Sequence, residues 1–291
     1  MQLSKLRILA LSLICTFVWT TSSAQDEEPP IYKTTENDFQ FRAGWNISKS
    51  LSRKFNIEWD QEFRIKDNLG TFDRMYTEIG GSYTVLDWLK LQAKYTYILI
   101  NHDGKAKTNY NRYWESRHRG AFGFTLYYKT YSNWRFSLRE LGQFTTYEKE
   151  HGGYKLYDKG EKANPKWVLK SRLKAEYAFR HIPLTPFISI ELINTLNSPS
   201  ASITKNVVSE DGTKVIPITK KYAGNEYIEN IRTAIGVEYR FDRRSSIEVY
   251  YRLDYEFNKD INIGEKSSEF KDLTEETSYI NIIGATYKLR F

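Results

Sequence analysis

From Phe39 to Phe291 the sequence keeps returning to one period, with an apolar residue at every second position and polar or charged residues between. A period of two marks an extended strand, because successive side chains leave opposite faces of the pleat. Phe39, Phe41, Ala43, Trp45 and Ile47 alternate with Gln40, Arg42, Gly44 and Asn46. Phe55, Ile57, Trp59, Phe63 and Ile65 alternate with Glu58, Asp60, Glu62 and Arg64, and Gln61 alone interrupts the apolar set. Near the C-terminal end, Ile247, Val249, Tyr251, Leu253, Tyr255 and Phe257 alternate with Glu248, Arg252, Asp254 and Glu256. Read this way the chain gives eleven strands, and no segment fits a helical template.

Eleven amphipathic strands must turn their apolar faces to a core or to lipid. The chain holds 22 Tyr, 16 Phe and 7 Trp, and a soluble sheet would need a large sandwich to hide them. A closed barrel resolves the pattern differently: aromatic faces meet lipid, charged faces line the interior, and no sheet edge is left unpaired in hydrocarbon. The connections agree. Short ones at Ser48–Ser52, Leu86–Trp88, Lys129–Asn133, His181–Thr185 and Asp242–Ser245 alternate with longer polar ones at Lys66–Asp73, Asn101–Asn111, Lys149–Lys166, Asn197–Glu226 and Asn258–Glu275. Such sorting distinguishes the periplasmic and extracellular rims of a membrane barrel. The expected fold is therefore all-β, a transmembrane antiparallel β-barrel over residues 38–291.

One count does not close. Eleven antiparallel strands leave the first and last running the same way, whereas bacterial single-chain barrels have even numbers. The expectation is about 12 strands (10–12), the missing one hidden in Asp26–Asn37 or Thr213–Tyr222. On the strand Ile247–Phe257, Leu253 should face lipid and Asp254 the polar interior, so that Asp254→Asn should be mild beside Leu253→Arg.

The N-terminal segment gives the compartment. Lys5 and Arg7 precede the apolar run Ile8–Trp19, and Ser22, Ser23 and Ala24 supply small residues, a secretory signal peptide (1–24) cut near Ala24. Residues 25–37 would follow as a periplasmic or lumenal segment. The single cysteine, Cys15, lies inside the removed stretch, which leaves no thiol chemistry. After Gln25 no apolar run approaches the roughly 20 residues of a membrane helix. The net charge of +7 comes with no basic tail or Arg-rich helix, which argues against nucleic acid.

The segments "WDQEFRI" (59–65), "LKSRLKAEYAFRHIPLTPFISIEL" (169–192) and "ENIRTAIGVEYRFDRRSSIEVYYRLDY" (229–255) resemble a family of uncharacterised outer-membrane β-barrels common in Bacteroidota, a domain of unknown function. The resemblance implies a barrel in the outer membrane of a Gram-negative bacterium and brings no activity or ligand. Its charged strand positions match at Arg172, Glu191, Arg232 and Arg252. These four, on inward-type positions of four strands, are expected to pair across the lumen and to hold a narrow barrel without an apolar core. A narrow pore with mild anion preference is the second reading. The last strand, Ser278–Phe291, carries Tyr287, Leu289 and Phe291 on its outward-type face and resembles the C-terminal signal read by the barrel-assembly machinery. Expected partners are outer-membrane lipid and lipopolysaccharide, that machinery during insertion, and an envelope-complex component.

No catalytic residue, metal site or cofactor is expected. His102, His118, His151 and His181 show no metal-ligand spacing. Ser116 and His118 share an outward face, but no orienting partner follows from the sequence. His102–Asp103 and His151 fall in loops. The expected role is structural or passive, as an envelope-complex component or small porin-like pore. The alternative is a barrel lipase or protease, or a specific solute transporter, using the extracellular loops with Asn197–Glu226 as a lid.

Overall fold

The computed structural model describes residues 31–103, 112–151, 154–155, 164–197, 200–208, 215–223, 228–263 and 270–291. The expected signal peptide and its cleavage point lie outside them. The strands are β1 (Ile31–Ser50), β2 (Phe55–Lys66), β3 (Thr71–Leu86), β4 (Leu89–Asp103), β5 (Arg112–Lys129), β6 (Trp134–Tyr147), β7 (Glu150–His151) and β8 (Tyr154–Lys155). They continue as β9 (Lys166–Tyr177), β10 (Leu184–Thr195), β11 (Ser200–Val208), β12 (Val215–Ala223), β13 (Ile228–Arg240), β14 (Ser245–Ile263) and β15 (Phe270–Arg290). Eleven of them form one closed barrel in the order β1-β15-β14-β13-β10-β9-β6-β5-β4-β3-β2, while β7-β8 and β11-β12 are separate hairpins.

The ring closes at eleven, inside the expected range, without a twelfth strand. Neither candidate supplies one. Residues Ile31–Asn37 extend β1, so the barrel begins before residue 38, and Val215–Ala223 pairs with Ser200–Val208 in a loop hairpin. An odd number of up-and-down strands forces one parallel pair. That pair is β1 with β15, in unbroken register from Ile31 opposite Leu273 to Ser48 opposite Arg290. A parallel ladder satisfies backbone N–H and C=O groups as an antiparallel one does, with slanted bonds. Closure, rather than parity, is what hydrocarbon demands of the backbone.

The longer connections also differ from expectation. Lys66–Asp73 contracts to a turn over 67–70, with Asp67, Asn68 and Leu69 at positive φ. Most of Asn258–Glu275 is strand, since β14 runs to Ile263 and β15 starts at Phe270. Polar alternation continues past the apolar belt there, and sequence read it as loop. At the short-turn rim, Asp242 fixes the β13–β14 connection. Its Oδ2 accepts from Ser245 Oγ at 2.6 Å, and its Oδ1 from the amides of Arg244 at 2.6 Å and Ser245 at 2.8 Å. The Ser245 hydroxyl and then these amides hold the Asp242 carboxyl below its ordinary pKa. A depressed carboxylate stabilises the fold above its unfolded pKa, and that contribution is lost as pH falls through the folded value.

The facing is that of a protein turned inside out. Ile79, Phe122, Ile188 and Ile235 point outward and are 62%, 64%, 59% and 60% exposed, while inward Asp254 is fully buried. Gln61, the one polar break in the outward face of β2, is covered instead. Trp45 meets Trp59 edge-on and Phe63 at a tilt, at centroid distances of 6.1 and 5.7 Å, and Thr77 Oγ1 donates to Gln61 Oε1 at 2.8 Å. The interior is not purely polar, contrary to expectation. Ile98, Ile100, Leu141, Ile193 and Ile282 occupy inward positions and are buried. Charge pairing therefore shares the lumen with an apolar filling.

Candidate functional site

The period-two pattern places one inward residue from each of five neighbouring strands in a single row: Arg139 on β6, Arg172 on β9, Glu191 on β10, Arg232 on β13 and Asp254 on β14. Each faces the next as a direct cross-strand partner, the geometry in which side chains on one face interact most strongly. Glu191 accepts from Arg139 Nη2 at 2.8 Å, and Arg232 Nη1 lies 3.4 Å from its other oxygen. Asp254 gathers three guanidinium groups: Arg252 Nε at 2.7 Å, Arg232 Nε at 3.3 Å and Arg42 Nη2 at 3.6 Å. Arg42 comes from β1, across β15, and also donates to Gln40 Oε1 at 3.1 Å.

Three of the four expected network residues are thus brought together. Glu191 pairs with Arg232, and Arg232 shares Asp254 with Arg252. Arg172 is not paired as expected. It stands opposite both Arg139 and Glu191, yet among the described residues it makes no ion pair. Glu191 is already engaged by Arg139 and Arg232. Sequence reasoning missed the centrality of Asp254 and the part of Arg42 and Arg139. Their inward parity was readable, but which charges meet across the lumen depends on strand stagger, which alternation does not report.

The far wall has the opposite sign. Glu58 and Asp60 on β2 and Glu78 on β3 each place a carboxylate oxygen within 4.8 Å of the others. Lys94 on β4 reaches into this group, 2.8 Å from Glu58 and 2.7 Å from Glu78, and supplies the positive charge there. Asn46 Nδ2 donates to Asp60 at 2.5 Å and Thr96 Oγ1 to Glu78 at 2.8 Å. Between the walls lies a cavity of about 730 Å³. Its lining runs from Ser50, Asn56 and Phe291 at the short-turn rim inward to Tyr76, Arg119 and Tyr250. Beyond that depth inward-facing Thr96, Ile98, Glu115, Asp254 and Ile282 are all fully buried.

The family described as "Protein of unknown function (DUF2490)" matches residues 32–211. The chain belongs to this family. The DUF2490 match bears out the resemblance as far as a family of unknown function. No curated protein matches the chain. Among solved structures it is similar to the siderophore receptor PirA from Acinetobacter baumannii, at 8% identity and a TM-score of 0.29, over 80% of this chain and 46% of that one. PirA from Pseudomonas aeruginosa matches at 10% identity and a TM-score of 0.20, over 79% and 55% of the respective chains. The DUF2490 chain spans about half the length of these receptors, and none of their properties is carried over to it.

The residues weighed for catalysis find other partners. His118 Nδ1 lies 2.7 Å from the Tyr95 hydroxyl, on the outer surface. Ser116 presents its amide at 3.1 Å and its hydroxyl at 3.5 Å to a Glu148 oxygen, and His151 Nδ1 lies 3.3 Å from the other oxygen of Glu148. The carboxylate stands between serine and histidine, whereas nucleophile activation needs the base on the nucleophile. His102 stacks on Tyr113 at 4.6 Å and meets buried Glu115 at 2.8 Å. Tyr287 and Leu289 lie on the outward face of β15, as alternation requires, with Tyr287 exposed; Phe291 follows the strand, is exposed, and borders the mouth of the cavity. The Phe291 amide donates to Ser48 O at 2.8 Å and its carbonyl accepts from Ser50 N at 3.2 Å, which places the residue on the closing seam.

Proposed function

We propose that this chain is an outer-membrane barrel of a Gram-negative bacterium, of the Bacteroidota on its sequence resemblance, with a structural or passive role. The short turns face the periplasm, and the lumen is a vestibule open to that side and closed towards the longer loops. The observation that carries this reading is the packing of the inner half: Ile98, Thr96, Glu115, Asp254 and Ile282 face inward and admit no solvent. The exposed outer belt, Phe122, Ile188 and Ile235 among it, supports lipid as the surroundings. Single-channel recording of the purified protein in planar bilayers tests the closure. No resolved conductance steps are expected; steady ohmic openings in the unmodified protein would overturn it and favour a pore.

The end of β15 is proposed as the segment read during assembly. The seam bonds of Phe291 support this, since the strand that closes the ring must be delivered to β1. Phe291→Asp is expected to leave export to the periplasm intact while lowering the amount of heat-modifiable barrel in the outer membrane severalfold. Normal barrel levels with this substitution would remove the proposed signal. The lipid and lipopolysaccharide contacts expected from sequence belong to the outer belt on the same reading.

A further inference from the structure

The lumenal charges do not balance locally. Most lumenal cations have a carboxylate: Lys94 has Glu58 and Glu78, Lys288 has Glu238 and Glu248, and Arg64 has Glu62. On the wall formed by β6 and β9 the accounting fails. Arg139 and Arg172 are direct cross-strand partners of like charge, an arrangement that destabilises a sheet unless something lies between them. Lys170, two residues before Arg172 on the same face, makes no ion pair among the described residues. The acid nearest to all three is Glu191, which is already bonded to Arg139 and Arg232. The Nε groups of Arg139 and Arg172 are buried and have no hydrogen-bond partner. A buried donor left unmade is costly, the more so when charged, so two such donors beside an ammonium without an ion pair point to an occupant.

We infer that Arg139, Lys170 and Arg172 form a binding site for a small phosphate-type oxyanion in the vestibule. All three line the 730 Å³ cavity that opens at the short-turn rim, so an ion from that side reaches them. The chemistry selects the ligand class. Guanidinium forks match the paired oxygens of phosphate, and lysine adds a point charge. Phosphate esters and inorganic phosphate carry roughly −1.5 to −2 at neutral pH, which matches Lys170 and Arg172, the two cations of this wall that make no ion pair among the described residues. Glu191 on the same row holds Arg139 in place through its Nη2. The acidic wall of Glu58, Asp60 and Glu78 stands about half a turn of the ring away, so an anion is drawn to one side of the vestibule rather than along its axis. The inference rests on the vestibule reading above, but the two fail separately: closure is read by conductance, the site by binding.

The test uses the full barrel purified in detergent, with inorganic phosphate as the probe and chloride at matched ionic strength as the reference. Phosphate is expected to raise the unfolding temperature of the parent. Arg172→Gln and Lys170→Gln should each abolish that rise and weaken phosphate binding by calorimetry at least about tenfold, the loss of one charge-assisted hydrogen bond. In chloride neither variant should unfold at a lower temperature than the parent, because each relieves like-charge repulsion. A merely structural role predicts the reverse, a lower temperature in both salts with phosphate binding kept, and that result would overturn the site. So would a parent that binds phosphate no better than chloride. Arg290→Gln, which removes a rim cation paired with Glu238, should leave the phosphate response unchanged. Glycerol 3-phosphate serves as a second probe. Binding equal to or tighter than inorganic phosphate assigns the site to phosphate monoesters, and selective binding of inorganic phosphate assigns it to the free ion.

Discussion

Asp254→Asn is expected to destabilise the barrel by about 3–5 kcal/mol, the range for removing one partner from a buried ionic cluster. Asp254 is fully buried and lies within ion-pair distance of Arg42, Arg232 and Arg252, which come from three different strands. The amide keeps the shape and one acceptor but removes the charge. Arg252 then has no carboxylate among the described residues, and Arg42 keeps only the Gln40 carbonyl oxygen. Arg232 still has Glu191 at 3.4 Å, which caps the loss. Glu191→Gln should cost less, because Arg232 retains Asp254 and only Arg139 is stripped of its acid. Equilibrium unfolding in urea of the refolded barrel gives both numbers. If Asp254→Asn matches the parent, or Glu191→Gln proves the costlier, the cluster does not organise the inner lumen. This reverses the sequence expectation that Asp254→Asn would be mild. Alternation gave the correct face for Asp254, but treated that face as wet.

That reversal shows where sequence reading stopped. Facing was legible at almost every strand position because the period is two and one residue of slip flips the whole strand. Ile79, Phe122 and Ile235 are exposed and Thr96, Gln143 and Asp254 buried, as their parity requires. The eleven segments were also legible, and so was the parallel seam they imply. The twelfth strand was added from the rule of even counts, and the chain does not follow it. Depth was not legible. Whether an inward residue sits in the open vestibule, as Lys174 does, or in the closed half, as Asp254 does, depends on stagger and tilt around the ring. The same holds for the site at Arg139, Lys170 and Arg172. Each residue was inward by parity, but that the three have only Glu191 beside them, bonded to Arg139, appears only when the register of β6, β9 and β10 is known.

Ile235→Arg separates a barrel in lipid from a barrel in water. Ile235 sits mid-strand on β13, with Ile188 and Tyr251 as its direct neighbours on β10 and β14, and Tyr251 opposite Ile283 on β15. All four are outward and exposed, an unbroken apolar row over four strands. Aromatic residues flank the row along the strands: Tyr239 and Phe241 lie towards the short-turn rim, and Tyr255 and Tyr279 towards the other. If those rings mark the two headgroup layers, Ile235 is near the bilayer midplane, where arginine costs about 2–4 kcal/mol. The same substitution at a 60% exposed position in water should stay within about ±0.5 kcal/mol. Tyr239→Arg, at the interface, should cost about 0–1 kcal/mol and serves as the depth control. Unfolding free energies measured in phospholipid bilayers decide between the two surroundings. Equal, small costs at residues 235 and 239 would mean that the apolar row does not meet hydrocarbon, and the membrane reading would fall with it.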